Sequence, residues 1–160
     1  MKNFTHFDAK NHAKMVDISA KKITSRTAQA QAEIFMKTET LEKIAHNSIQ
    51  KGDTFTVAKI AGIMGAKNTA TIIPLCHQLS LSEVDISFTI DDQRNCVVIK
   101  SAVKVEGKTG AEMEALTAAL ISAVTIYDMC KAVDKDMVIS NVCLLKKTGG
   151  RSGIYIKKDV

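Results

Sequence analysis

The sequence contains very little proline and few aromatic residues, and each lack narrows its possible functions. Pro74 is the only proline among 160 residues, and no stretch rich in glycine, serine and proline divides the chain. We therefore expect a single domain over residues 1–160, with loop-like ends at 1–20 and 148–160. Tryptophan is absent and aromatic residues make up 4% of the chain, so few rings are available for base stacking and nucleic acid is not an expected partner.

Signals for metal binding and for export are also missing. The four cysteines lack the paired spacing of zinc ligands, and the adjacent Cys76 and His77 do not supply it. We expect reduced, mainly buried thiols and no metal ligands. Residues 1–16 carry charged side chains and histidines throughout, which is not the pattern of a secretory signal. These absences predict a cytoplasmic protein that does not bind membranes.

The charge balance favours a small anionic partner. Lysine and arginine number 22 against 17 aspartates and glutamates, which gives a net charge of +5. Basic residues are spread along the chain rather than clustered. Such a surplus suits a phosphate ester or a nucleotide better than a nucleic acid.

Hydrophobic periodicity predicts an α+β fold. Apolar and polar residues alternate over 28–37 and 83–90, and 97–105 forms the return strand after a turn. Residues 138–146 are expected to form a last strand. Helices are expected from Thr38 to Gly52, from the N-cap Asp53 to Ile72, and over 110–131. The order β, α-α, β, β, α, β corresponds to a ferredoxin-like split βαβ fold, which is an antiparallel sheet with helices on one face.

The last predicted helix is the most informative segment. No residue from 115 to 127 is charged, but the segment is too short and too closely flanked by charge to span a membrane. Glu114 and Asp128 fall on about the same helical face, and Lys131 follows Asp128 by one turn. This pattern suggests one wall of a site. A purely structural role is the alternative, because Thr109 and Glu112 also fit a capping box and a C-terminal lysine favours the helix dipole.

Two loops have compositions suited to binding anions. Residues 107–109 (GKT) precede a helix N-terminus, where free amides bind anions, although Ala102 stands where a nucleotide-binding P-loop needs glycine. Residues 146–153 (KKTGGRSG) combine glycines with Lys147, Arg151 and Ser152. The alternative to an anion site at 146–153 is a flexible, solvated tail. Lys51 and His77 likewise have structural alternatives, namely a helix C-cap role for Lys51 and an ordinary loop histidine at His77.

Seven segments in one register resemble the cyclic pyranopterin monophosphate synthase family of molybdenum cofactor biosynthesis. They are residues 15–19 (MVDIS), 51–53 (KGD), 60–64 (IAGIM), 73–77 (IPLCH), 107–110 (GKTG), 112–117 (EMEALT) and 125–133 (TIYDMCKAV). The resemblance extends from about Thr5 to Gly153. Departures from the family pattern are Asn11, Asn68 and Arg151, and none of them falls among the predicted acid–base residues.

The resemblance implies a lyase. Its substrate would be (8S)-3′,8-cyclo-7,8-dihydroguanosine 5′-triphosphate, converted to cyclic pyranopterin monophosphate with release of pyrophosphate. It further implies a homohexamer built as a trimer of dimers, with sites between subunits. No redox cofactor is implied, whereas Mg²⁺ could accompany the triphosphate. The competing hypothesis is a non-catalytic ferredoxin-like module that senses a nucleotide.

The resemblance also assigns roles to individual residues. Asp128, Lys51 and Lys131 match the family's catalytic aspartate and acid–base lysines. Neutral-pH proton transfer by lysine would be helped by neighbouring cations or burial that depress its pKa towards 7. The residues that match substrate-binding positions are Leu75, Cys76, His77, Glu112, Met113, Glu114, Arg26, Lys67, Lys147 and Asp17.

Overall fold

The helices and strands follow the predicted order, with two short additions. A computed structural model describes residues 12–151 and 153–158. Its strands are β1 (Thr24–Phe35), β2 (Leu81–Asp91), β3 (Cys96–Gly107), β4 (Val138–Thr148) and β5 (Tyr155–Ile156). Its helices are α1 (Thr38–Ala45), α2 (Thr54–Lys67), α3 (Thr69–Ile72) and α4 (Glu112–Cys130).

The sheet has the strand order β2-β3-β1-β4-β5, and every neighbouring pair is antiparallel. Its first four strands therefore have the order of a ferredoxin-like sheet, which confirms the predicted fold class. In β1, Ala28, Ala30 and Ala32 are buried. These small side chains allow α4 to lie close to the centre of the sheet, while Gln29 and Gln31 alternate with them and point to the opposite face.

The helices α2 and α4 pack tightly against each other on this face. A Cβ atom added at Gly62 would overlap the Ser122 hydroxyl and lie 2.8 Å from the Ala118 carbonyl oxygen. Ser122 Oγ donates a hydrogen bond of 3.0 Å to the Ala58 carbonyl. By length and composition α4 could cross a membrane, but 56% of that stretch is buried inside the fold. It is therefore placed as the core helix of a soluble protein.

The predicted helix over 53–72 is interrupted, which corrects its expected extent. Asn68 ends α2, and its side-chain amide donates a 2.8 Å hydrogen bond to the Met64 carbonyl. The chain then restarts as the single turn α3. The N-cap Asp53 is confirmed, since its carboxylate accepts a 3.1 Å hydrogen bond from the Thr56 amide.

The C-terminal segment also differs from the expected loop. Lys146 and Lys147 pair with Ile156 and Tyr155, so residues 155–156 add a short edge strand to the sheet. The four cysteines are free, with Cys96 and Cys130 buried, as expected. Asn11 and Ser152, both considered from the sequence, lie outside the described residues.

Candidate active site

A cavity lies beside the N-terminus of α4. Its volume is about 380 Å³, within the range of small-molecule sites. Four of the seven segments that match the family contribute lining residues, namely 15–19, 73–77, 107–110 and 112–117. The lining residues are Val16, Ile18, Lys21, Leu75, Cys76, His77, Leu79, Thr109, Gly110, Glu112, Met113 and Glu114.

The carboxylate of Glu112 is paired across the cavity edge rather than within its own helix. It lies 3.0 Å from Lys147 Nζ, and both side chains are more than two-thirds buried. The N-cap of α4 is Ala111, with no side-chain capping bond, so the alternative of a capping box at Thr109 is wrong. The Glu112–Lys147 pair joins the end of β4 to the start of α4 and places a lysine at the cavity.

Glu114 is the buried acid of the cavity. Only 4% of the residue is exposed, and this burial raises the pKa of its carboxyl group to about 6. Burial also raises the pKa of the neighbouring Cys76 thiol, with a further contribution from the Glu114 charge. Near neutral pH this part of the cavity therefore contains a carboxyl group that can lose or accept a proton, beside an un-ionised thiol.

Asp17 lies at the cavity rim, where the N-terminal segment meets the β3–α4 loop. Its carboxylate accepts hydrogen bonds from the Ser19 amide at 2.8 Å and the Ser19 hydroxyl at 2.7 Å. These bonds lower the pKa of Asp17, with smaller contributions from the positive charges of Lys108 and His77. Lys108 Nζ in turn donates to the Ser19 carbonyl at 2.7 Å. Ser19 and Lys108 are functional candidates that the sequence analysis did not select, although both lie inside motifs that it quoted.

Arg26 and Lys67 lie near the end of the fold that contains the cavity, but neither is among its lining residues. Arg26, half-buried on β1, donates hydrogen bonds to the carbonyls of Gly107 and Lys108. Lys67 is exposed at the C-terminal end of α2, ahead of the segment that supplies the cavity residues 75–77.

The three predicted catalytic residues form a second group, here called the acid–base cluster. Asp128 Oδ2 lies 3.0 Å from Lys51 Nζ, and its Oδ1 lies 2.8 Å from Lys131 Nζ. Lys51 also donates a 2.8 Å hydrogen bond to the Asp128 carbonyl. Lys51 therefore binds a carbonyl in the last turn of α4, 77 positions away, rather than only capping the helix that precedes it in the chain, and its ammonium also reaches the carboxylate.

Hydrogen bonding within the acid–base cluster determines the protonation states of Lys131 and Asp128. The hydrogen bond with Asp128 raises the pKa of Lys131, and the hydrogen bonds from Lys131 and Lys51 lower the pKa of Asp128. Neighbouring cations or burial could depress the pKa of a lysine, but the nearest charge to Lys131 is the Asp128 carboxylate. At neutral pH Lys131 is therefore an ammonium that can donate a proton.

The acid–base cluster and the cavity lie at opposite ends of α4. Sixteen positions separate Glu112 from Asp128, which at about 1.5 Å per residue corresponds to about 24 Å along the helix axis. Within one chain, the predicted site residues therefore form two groups rather than one site.

Asp134 holds the loop that follows the acid–base cluster. It is 1% exposed and accepts hydrogen bonds from the amides of Lys37 at 2.8 Å and Asp136 at 3.0 Å. Its position in a charged run gave no sequence signal for burial, because its partners come from the start of α1. Among residues 12–151 and 153–158, no group of three histidine, cysteine or acidic side chains is arranged to hold a metal ion.

Comparisons with known proteins place the chain in a family. A relative from Heliobacterium modesticaldum, named cyclic pyranopterin monophosphate synthase, is 52% identical over 159 residues, covering 99% of this chain and all of the relative. A relative of the same name from Bacillus thuringiensis subsp. konkukian is 56% identical over 161 residues, again covering 99% of this chain and all of the relative. These matches confirm the predicted resemblance and favour an enzyme over a non-catalytic module. Residues 15–150 match the MoaC family, to which this chain therefore belongs.

Proposed function

We propose that this protein is a lyase of molybdenum cofactor biosynthesis. It converts (8S)-3′,8-cyclo-7,8-dihydroguanosine 5′-triphosphate to cyclic pyranopterin monophosphate and releases pyrophosphate in the cytoplasm. The observation that carries the proposal is the full-length identity to synthases of that name. A buried-acid cavity and a separate carboxylate–lysine cluster supply the groups that such a reaction needs.

The cavity is the proposed site for the purine-derived part of the substrate. Leu75 and Met113 provide apolar walls, while His77 and Glu114 offer polar groups to ring nitrogens. Lys147, together with Lys21 and Lys67 near the same end, is proposed to bind the triphosphate. Ammonium groups bind phosphate oxygens through charge-assisted hydrogen bonds, so added salt should weaken this part of the interaction. Mg²⁺ bound with the triphosphate stays a prediction.

The acid–base cluster is proposed to move the protons of the rearrangement. Asp128 stabilises the charged form of Lys131, so Lys131 begins as an ammonium. This ammonium then donates a proton to the substrate. Asp128 also fixes the directions of both lysine side chains through its two oxygens. Lys51, on the loop before α2, is proposed to accept or donate the second proton.

The separation of the cavity from the acid–base cluster supports a site shared between two copies of the chain. A second copy that presents the C-terminal end of its α4 to the cavity would bring both groups to one substrate. Exposed apolar side chains along α2 and α4 provide a surface for such association, including Ile60, Met64 and Val124. We propose a homohexamer, arranged as a trimer of dimers.

Turnover separates this proposal from the nucleotide-sensing alternative. The protein is incubated with the cyclised nucleotide, and both products are measured by mass spectrometry and a pyrophosphate assay. The wild type should form both, and Lys131→Ala should form little. Lys59→Ala removes an exposed lysine that pairs with Asp85 and provides the matched control. Tight binding of the nucleotide without turnover would instead establish a sensing module.

Co-assembly of two inactive variants tests the shared site. Lys131→Ala damages the acid–base cluster and His77→Ala damages the cavity, so mixed oligomers would contain some sites with both parts intact. Activity should therefore partly return. A mixture of Lys51→Ala with Lys131→Ala should stay inactive, because both changes fall in one cluster. Equal recovery in both mixtures, or none in the first, would contradict a site built from two chains.

A further inference from the structure

Arg26 joins the two loops that flank the cavity. Its Nε donates to the Gly107 carbonyl at 3.0 Å and its Nη2 donates to the Lys108 carbonyl at 3.1 Å. These two carbonyls belong to consecutive residues at the end of β3, so one planar guanidinium holds the start of the β3–α4 loop at two points. Lysine cannot reproduce this fork of donors, because its ammonium lacks the fixed geometry.

The other side of the same guanidinium faces the loop after β4. Gly149 and Gly150 both have left-handed backbone conformations, with φ values of 86° and 72°. A Cβ atom at Gly150 would overlap Arg26 Nη1, and one at Gly149 would lie 3.0 Å from Arg26 Cγ. The positive φ values favour glycine at both positions. A side chain at Gly149 would also meet the Ser25 carbonyl oxygen at 2.5 Å, and one at Gly150 would displace the flexible end of the Arg26 side chain.

The β3–α4 loop and the end of β4, next to the β4–β5 loop, carry residues of the proposed site. Thr109 and Gly110, directly after the bonded carbonyls, line the cavity. Lys147 lies two residues before Gly149 and pairs with Glu112 at the cavity edge. A shift of Arg26 would thus move the β3–α4 loop and the β4–β5 loop relative to each other, although Arg26 is not among the cavity-lining residues.

We infer that Arg26 is a positioning residue that clasps the β3–α4 loop to the β4–β5 loop, and that Gly150 is the part of the clasp that admits its guanidinium. The expected effect of the clasp on substrate binding rests on the proposed function, whereas the contacts between Arg26 and the two loops do not. The clasp acts on the phosphate end of the site, so its loss should raise KM and leave kcat nearly unchanged.

The test compares Arg26→Ala, Gly150→Ala and the double variant. Gly153→Ala is the matched control, because Gly153 also has a left-handed φ of 63° but has no atom within 4 Å of an added Cβ. It therefore measures the effect of backbone strain without the overlap. Arg26→Lys retains the charge and loses the fork. The first readout is amide hydrogen exchange of residues 107–111 and 148–151, and the second is calorimetric binding of inorganic pyrophosphate.

Arg26→Ala and Gly150→Ala should both speed exchange in the two loops and weaken pyrophosphate binding by about tenfold, the loss of one or two charge-assisted hydrogen bonds. The double variant should be little worse than Arg26→Ala, since the overlap disappears with the guanidinium. Arg26→Lys should recover little. Unchanged exchange in Arg26→Ala, or a Gly150→Ala effect no larger than that of Gly153→Ala, would overturn the inference. Neither readout requires turnover, so failure of the wild type to convert the cyclised nucleotide would refute the proposed function separately.

Discussion

Replacing Glu114 by glutamine should stabilise the protein above pH 6. The carboxyl group is buried in the cavity wall, and its pKa is raised from an ordinary 4.5 to about 6. The folded state therefore holds the proton more tightly than the unfolded state. The corresponding stability is fully present below pH 4.5 and is lost as pH rises through 6, when the buried carboxylate ionises. A shift of this size corresponds to about 2 kcal/mol per protomer.

The assay is urea unfolding of the wild type and Glu114→Gln at several pH values between 4.5 and 7.5. Protomer concentration is held constant, because association contributes to the measured stability. The free energy of the variant minus that of the wild type should rise by about 2 kcal/mol across this interval. Glu83→Gln, at an exposed carboxylate on β2, is the matched control. A difference that is independent of pH, or one that falls as pH rises, would refute the burial argument.

Three further predictions concern the charged residues. Asp128→Asn and Lys131→Ala should each lower kcat by about 10²-fold or more, and the double variant should be little worse than the more damaging single variant. A near-normal kcat together with a lowered Tm would show that the pair has only a structural role. The Asp128 carboxylate raises the pKa of Lys131, so Asp128→Asn should also move the alkaline limb of the kcat–pH profile to lower pH. An alkaline limb that does not move would contradict this prediction. Lys147→Ala should raise KM and weaken inhibition by pyrophosphate by about tenfold, whereas equal effects in Lys59→Ala would indicate only general electrostatics.

Much of the fold could be predicted because its strands are half-buried. The alternation of Val84, Ile86 and Phe88 with polar residues is visible along the chain, and the structure confirms it in β2. The alternating Ala28 and Ala30 also predicted a strand, although alanine favours helices, since pattern outweighs propensity where one face is buried. The break at Asn68 could not be predicted, because it depends on a side-chain bond to the preceding turn.

Contacts between distant residues of the candidate site could not be predicted from local sequence patterns. Glu114 and Asp128 lie on one helix, as predicted. Their separation of 14 positions, however, corresponds to about 21 Å along the helix axis, so a shared helical face does not place them in one site. Arg26 bonds residues 81 and 82 positions away, and no local spacing encodes such a contact. Asp134 is similarly buried by partners from α1, about a hundred positions earlier. Residues with long-range partners therefore needed the structure, whereas the motifs themselves did not.

The close crossing of α2 and α4 at Gly62 limits how this protein could be engineered for heat resistance. In an isolated helix, exchanging glycine for alanine would gain up to about 1 kcal/mol, so Gly62 would be an obvious substitution. Here the added methyl group would meet the Ser122 hydroxyl and the backbone of α4. The two helices would have to separate. Because Lys51 lies three residues before α2 and Asp128 lies on α4, the ammonium–carboxylate distance of 3.0 Å would change with them. Substituting alanine for Gly62 would thus gain helix propensity but disturb the geometry of the acid–base cluster.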